Sequence, residues 1–131
     1  MTHATLAAWH QILKNRDLKG LSALLADNVV FHSPVVHTPQ AGKAVTLQYL
    51  GAAFKVFGDP SFRYVRELEG PNDAVLEFQL ELAGITVNGV DMIRWGDDGK
   101  ITDFKVMVRP LKAIQLIHQN MGAMLQSQQQ Q

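Results

Sequence analysis

Gly89-Val90-Asp91-Met92-Ile93-Arg94-Trp95, followed by Asp97-Asp98-Gly99-Lys100 and the run from Ile101 to Val108, decides how this chain folds. Alternating residues on either side of an Asp-Gly turn are the pattern of an antiparallel hairpin. Alternation puts Asp91 on the strand face that carries Ile93 and Trp95, so a carboxyl group sits among apolar side chains. Burying an ionised carboxylate is costly unless it is paired or its pKa rises, which makes Asp91 the first candidate functional residue.

Working outward, the period stays near two from Ser61 onward. Ser61 to Glu69, Ala74 to Ala83, Ile85 to Trp95 and Ile101 to Arg109 read as strands, separated by Gly70-Pro71-Asn72-Asp73, Gly84 and Asp97-Asp98-Gly99. Links this short predict an antiparallel meander. Leu76, Phe78, Leu80 and Leu82 alternate with Glu77, Gln79 and Glu81, and Phe104, Val106 and Val108 alternate with Lys105 and Met107, so one face is apolar and the other mixed.

Before Ser61 the period is helical. Leu6, Trp9, Ile12 and Leu13 predict a first helix, broken by Asp17-Leu18-Lys19-Gly20 before Leu21, Leu24 and Leu25 begin a short second one. Val29 to Ser33 predicts a strand stopped by Pro34 and followed by a loop through Pro39 to Gly42. A third helix carries Val45, Tyr49, Ala52, Ala53 and Phe57, with Leu50 and Phe54 alongside, and Gly58-Asp59-Pro60 ends it. Pro110 opens a last helix striped by Leu111, Ile114, Ile117, Met121 and Met124 or Leu125, and that stripe needs cover from protein. The expected fold is α+β, with N-terminal helices packed on a curved antiparallel sheet and a C-terminal helix. Residues 1–125 form one domain, and the polar stretch from Gln126 to Gln131 is expected to be disordered.

Composition excludes whole classes of partner. Twelve Lys and Arg balance twelve Asp and Glu in 131 residues, leaving no basic surplus for nucleic acid or an anionic membrane. An absence of cysteine removes disulfides, thiolate nucleophiles and cysteine-held metals. No basic leader or membrane-length apolar run is present, so the expectation is a cytoplasmic protein.

Three segments carry a family resemblance: Leu24-Leu25-Ala26-Asp27-Asn28-Val29-Val30-Phe31-His32-Ser33-Pro34, then Gly42-Lys43-Ala44-Val45, then Val90 to Trp95 with Asp98-Gly99-Lys100-Ile101. With the order of elements, they resemble the SnoaL-like, polyketide cyclase-like branch of the nuclear transport factor 2-like superfamily, over about Ala4 to Arg109. The resemblance implies a cone-shaped fold. It does not choose among the isomerases, cyclases, hydrolases, dehydratases, binders and transport adaptors built on that scaffold. In ketosteroid isomerases of this superfamily the general-base Asp precedes the Pro that ends the first strand, and here that position is Ser33. Their oxyanion-hole Tyr corresponds to Trp9, while their protonated oxyanion-hole Asp corresponds to Asp91. Two of three groups depart, so the resemblance carries over an apolar cone with one buried carboxyl, walled by Leu76, Phe78, Leu80, Phe104, Val106 and Val108, rather than the steroid-isomerase mechanism.

Asp91 admits two readings: ionised and satisfied by Trp9 or a backbone N–H, or perturbed and acting as a proton donor or base. His37 is the second candidate catalytic group, since an imidazole in a loop beside the first strand suits proton transfer near neutral pH. Alternation sends His32 away from Ser33, so an inward Ser33 makes His32 structural. Trp9, Ser33, Tyr49 and Phe54 complete the expected ligand-binding set, with Phe57 and Phe62 able to stack or simply to fill the core. Neither a metal nor a cofactor is implied: the histidines lack His-x-x-x-His spacing and the glycines are scattered among turns. The mixed outer face, with Glu77, Gln79, Glu81, Met92, Arg94, Lys105 and Met107, is the expected homodimer surface. Three functions fit these residues: a lyase, isomerase or cyclase on a hydrophobic, carbonyl-bearing small molecule, a non-catalytic binder of such a molecule, or an interaction module with a filled cone.

Overall fold

The computed structural model describes residues 4–129. In chain order the elements are α1 (Ala4–Asn15), α2 (Leu18–Leu24), β1 (Leu25–His32), β2 (Gln40–Ala41), α3 (Lys43–Val56), β3 (Arg63–Glu69), β4 (Asp73–Leu82), β5 (Ile85–Trp95), β6 (Ile101–Arg109) and α4 (Leu111–Gln129). Arg16, in the left-handed region at φ 51°, turns the chain between the first two helices, and the Asp17 carboxylate caps α2 by accepting the Gly20 N–H at 3.0 Å.

The sheet runs β2-β1-β6-β5-β4-β3. From β3 to β6 it is the antiparallel meander the alternation predicts, and the β4–β5 hairpin turns through Ala83 and Gly84, both at positive φ, as a two-residue turn of matching twist requires. β1 joins by pairing parallel to β6, so the sheet is mixed. Helices cover its inner face, where Ala74, Leu76, Phe78 and Leu80 of β4, Val87, Ile93 and Trp95 of β5, and Ile101, Phe104 and Val106 of β6 are buried. The inward step from Ile101 to Phe104 skips one residue because a bulge opposite Arg94 and Trp95 shifts the register.

Two helical stripes differ from expectation. In α3 the buried residues are Thr46, Leu50, Gly51, Ala52, Phe54 and Val56, because the helix packs on both β1 and α4; partly exposed Tyr49, Ala53 and Phe57 join Leu50 and Phe54 along the wall of a cavity. In α4 the buried residues are Ala113 and Ile117, while Leu111 is 67% exposed, since two positions from Ala113 is about 200° around the helix and puts it on the opposite face. The α4 backbone is helical to Gln129. Residues 130 and 131 of the Gln126 to Gln131 tail lie outside the described residues. No described helix is long and apolar enough to cross a membrane.

Candidate active site

The alternation that buries Val87 and Ile93 also points Asp91 inward, between Leu76 on β4 and Val106 on β6. Tyr64 reaches it from the edge strand. Tyr64 pairs with Phe78, and the bulge at Val65 separates that pairing from the next, Arg66 with Glu77. Its hydroxyl donates to Asp91 Oδ2 at 2.7 Å and accepts the Trp9 indole N–H at 3.0 Å. Trp9 is itself wedged between Phe54 and Phe104, with ring centroids 5.9 and 5.1 Å away. A line of three side chains, from α1, β3 and β5, thus ends on one carboxyl oxygen. The other oxygen has no hydrogen-bond partner among the described residues, and Asp91 lines the cavity.

Burial governs the electrostatics. Desolvation pushes the Asp91 carboxyl from its ordinary value of 3.8 up to about 7, against the opposing pull of the Tyr64 hydrogen bond. Burial and then the nearby Asp91 charge push the Tyr64 phenol well above its ordinary value of 10, so it remains a neutral donor. His10 rests edge-on against the Tyr64 ring at 5.5 Å, with its Nε2 2.6 Å from Glu67 Oε1, which buttresses the tyrosine from the solvent side.

The cavity in front of Asp91 measures about 590 Å³. Trp9, Ser33, Tyr49, Phe54, Phe78, Phe104 and Val106 of the expected set line it, together with Phe31, Phe57, Phe62, Ile117 and Met121. Phe78 stacks on Phe62 at 5.5 Å and meets Phe57 edge-on at 5.7 Å. Gly89 makes room for that ring: a Cβ there would lie 2.5 Å from Phe78 Cζ and 2.6 Å from the Met107 carbonyl oxygen. Ser33 faces the cavity while its Oγ accepts the Val35 N–H at 3.1 Å; His32, on the opposite side, bonds Asp103 at 2.9 Å.

Four expected site residues fall elsewhere. Leu76, Leu80 and Val108 share the inner face but pack into the core, because alternation gives the face and not the point along a strand where the helices stop covering it. His37 is exposed in the loop after β1 and is not among the residues lining the cavity; the loop carries it out past Val35 and Val36. Tyr64 and His10 were not legible as site residues. The signal for Tyr64 lay in the alternation of Phe62 and Tyr64 with Arg63 and Val65. Among the described residues, no three His, Asp or Glu side chains gather to hold a metal ion.

Comparisons with known proteins agree with this fold. No curated protein matches the chain. A crystal structure of a steroid delta-isomerase from Pseudomonas aeruginosa is 42% identical over 98% of this chain and 93% of that one, with a TM-score of 0.91. A protein from Silicibacter pomeroyi, described as uncharacterized, conserved in bacteria and cystatin-like in fold, is 32% identical over 93% of this chain and 85% of its own, at a TM-score of 0.85. An epoxide hydrolase/cyclase-like enzyme of pyran ring formation in the polyether salinomycin shares the fold, at 16% identity over 80% of this chain and 88% of that one, with a TM-score of 0.65. The SnoaL-like domain model matches residues 6–104, and on that match and these relatives the chain belongs to the SnoaL-like family of the nuclear transport factor 2-like superfamily.

Proposed function

We propose that the cavity takes a hydrophobic, carbonyl-bearing small molecule and that Asp91 moves a proton on it, making the protein an isomerase or cyclase. One observation carries this reading: a carboxyl raised to about 7, with one oxygen held by Tyr64 and the other without a hydrogen-bond partner among the described residues at the wall of an apolar cavity. A group that titrates near neutrality populates both forms, so the carboxylate can take a proton from the carbon beside a carbonyl and the resulting acid can return it to another carbon. A C–H bond breaks as an O–H bond forms, then the reverse, and no oxidant or metal is consumed. Tyr64 holds the carboxyl in one rotamer, and aromatic walls exclude the water that would otherwise compete for the proton.

Ser33, at the position of the ketosteroid isomerase base, is a neutral hydroxyl engaged by the Val35 N–H, so the proton-transfer role rests on Asp91. The name of the Pseudomonas relative supports double-bond migration in a ketone as the first reaction to test. A 5-ene-3-ketosteroid, followed by the absorbance of the conjugated enone, should turn over with wild type and not with Asp91→Asn, which should still bind. The second reading is a non-catalytic binder, favoured by the finding that Asp91's only hydrogen-bonding neighbour among the described residues is a phenol that stays neutral. Tight binding of several ketones with no proton exchange beside the carbonyl would select it. The proposal includes a homodimer through the outer sheet face, supported by half-exposed Met107 beside the charged row of Arg94 and Lys105.

A further inference from the structure

We propose that the natural ligand carries an anionic headgroup, a carboxylate in the first instance, which sits at the cavity mouth while its apolar, carbonyl-bearing body reaches inward to Asp91. The inference rests on the ligand reading above and adds the chemical class of the ligand. Its basis is the uneven charge of the cavity. The chain is neutral overall, with twelve basic and twelve acidic residues. Yet Lys14, Arg16 and Arg63 all line the cavity, and the carboxylates that line it are only Asp91 within and Asp59 at the rim. The three cations are exposed, which places them at the opening, and none has an ion-pair partner among the described residues.

The rim is also built rather than merely charged. Arg16 adopts the left-handed conformation at φ 51°, unfavourable for any residue with a Cβ, and from there its Nη2 donates to the Gly58 carbonyl at 2.7 Å. Gly58 is the residue that permits this approach: a Cβ there would lie 2.7 Å from Arg16 Nη2 and 2.8 Å from its Cζ. Five residues on, Arg63 Nη1 donates to the Ser61 carbonyl at 3.3 Å, so both guanidinium groups are anchored on the segment joining α3 to β3. Between them the Asp59 carboxylate is occupied by the Ser61 N–H at 2.8 Å and the Ser61 hydroxyl at 2.6 Å. Those bonds hold it ionised, below its usual range, but turn its Oδ1 to its own loop instead of to either arginine. Each anchored guanidinium keeps further N–H groups for a ligand, and a planar fork of donors matches a carboxylate. An apolar cavity with acid–base chemistry inside and three cations against one carboxylate at its mouth favours a carbonyl-bearing ligand that also carries an anionic headgroup.

Decanoate, methyl decanoate and decyl phosphate, each below its micelle concentration, provide the test by calorimetry on the full-length protein. Wild type should bind decanoate about tenfold more tightly than the methyl ester at low salt, with the preference shrinking as salt screens the exposed cations. Arg16→Gln with Arg63→Gln should reduce the preference to about twofold or less while leaving ester affinity in place. Lys55→Gln with Lys112→Gln, both exposed and outside the cavity lining, should leave it intact. A gain for decanoate alone supports a carboxylate; an equal gain for decyl phosphate supports the anionic headgroup in its general form. Ester and acid binding equally, or a preference that survives the double arginine variant, would overturn the inference while the ligand reading stands. Failure of all three probes to bind would sink both.

Discussion

Replacing Asp91 by Asn should make the protein more stable at alkaline pH and leave its stability in acid almost unchanged. In the unfolded chain this carboxyl ionises around 3.8, whereas in the folded protein it holds its proton until about 7. Below the lower value both states are protonated and the group has no pH-dependent effect. Between the two the unfolded state sheds a proton that the folded state keeps, so folding loses about 1.4 kcal/mol for each pH unit. Above about 7 the loss levels off at roughly 4 kcal/mol, the full difference between the two values. An amide has no such titration, and its oxygen can still accept the Tyr64 hydroxyl. Urea unfolding of both proteins from about pH 4 to about pH 8.5 should show the difference in unfolding free energy climbing through this window and then flattening. A difference that stays constant across it would mean that Asp91 is ionised and paired at its ordinary value, and the acid–base proposal would lose its foundation.

Tyr64→Phe removes the hydrogen bond that pulls the Asp91 carboxyl downward, so its titration, followed by carbon-13 carboxyl NMR, should move above about 7; an unchanged midpoint would show that the bond does not form. Ile117→Ala should cost about 2–5 kcal/mol in chemical denaturation, whereas Leu111→Ala, at an exposed site on the same helix, should stay within about 0.5 kcal/mol. Comparable losses would mean that α4 docks in another orientation. Gly89→Ala should destabilise by about 1–3 kcal/mol, because the Met107 carbonyl it would strike is backbone and the Phe78 ring is packed against Phe62; a neutral effect would mean that the Phe78 ring is free to move. Sedimentation should find a dimer at tens of micromolar that Arg94→Glu with Met107→Glu dissociates, and a monomeric wild type would end the proposed outer-face interface.

Local periodicity carried much of this structure. Asp91 was legible because seven consecutive residues alternate without interruption, and its burial follows from Ile93 and Trp95 alone. The residues that join it were less so. Tyr64 lies on an edge strand whose other residues are exposed or charged, and a bulge at Val65 breaks the alternation that would have aimed it. Leu76, Leu80 and Val108 show the reverse limit, since facing inward does not distinguish a wall from a packed core; that depends on where α1, α3 and α4 end, a long-range matter. Leu111 has the apolar character of a buried residue but shares its turn with Ala113, which takes the inward face, so Leu111 is left on the outer one. The rim charges were invisible because Lys14, Arg16 and Arg63 come together only when the end of α1 docks on the segment after α3.

The parallel pairing of β1 with β6 has a consequence for how the molecule comes into being. Leu25 finds Ile101 and Phe31 finds Phe104, so a strand from the first quarter of the chain completes its ladder with the last strand of the sheet. During synthesis α1, α2 and β1 emerge long before β6 exists, and their apolar residues must wait while the meander is made. Closing that span exacts loop entropy before any pairing repays it, which predicts slow folding of high contact order. Nascent chains released before β6 would display Val29, Phe31 and Trp9 to whatever binds exposed apolar surface, so this protein should depend on chaperones early in synthesis and very little once its last strand is in place.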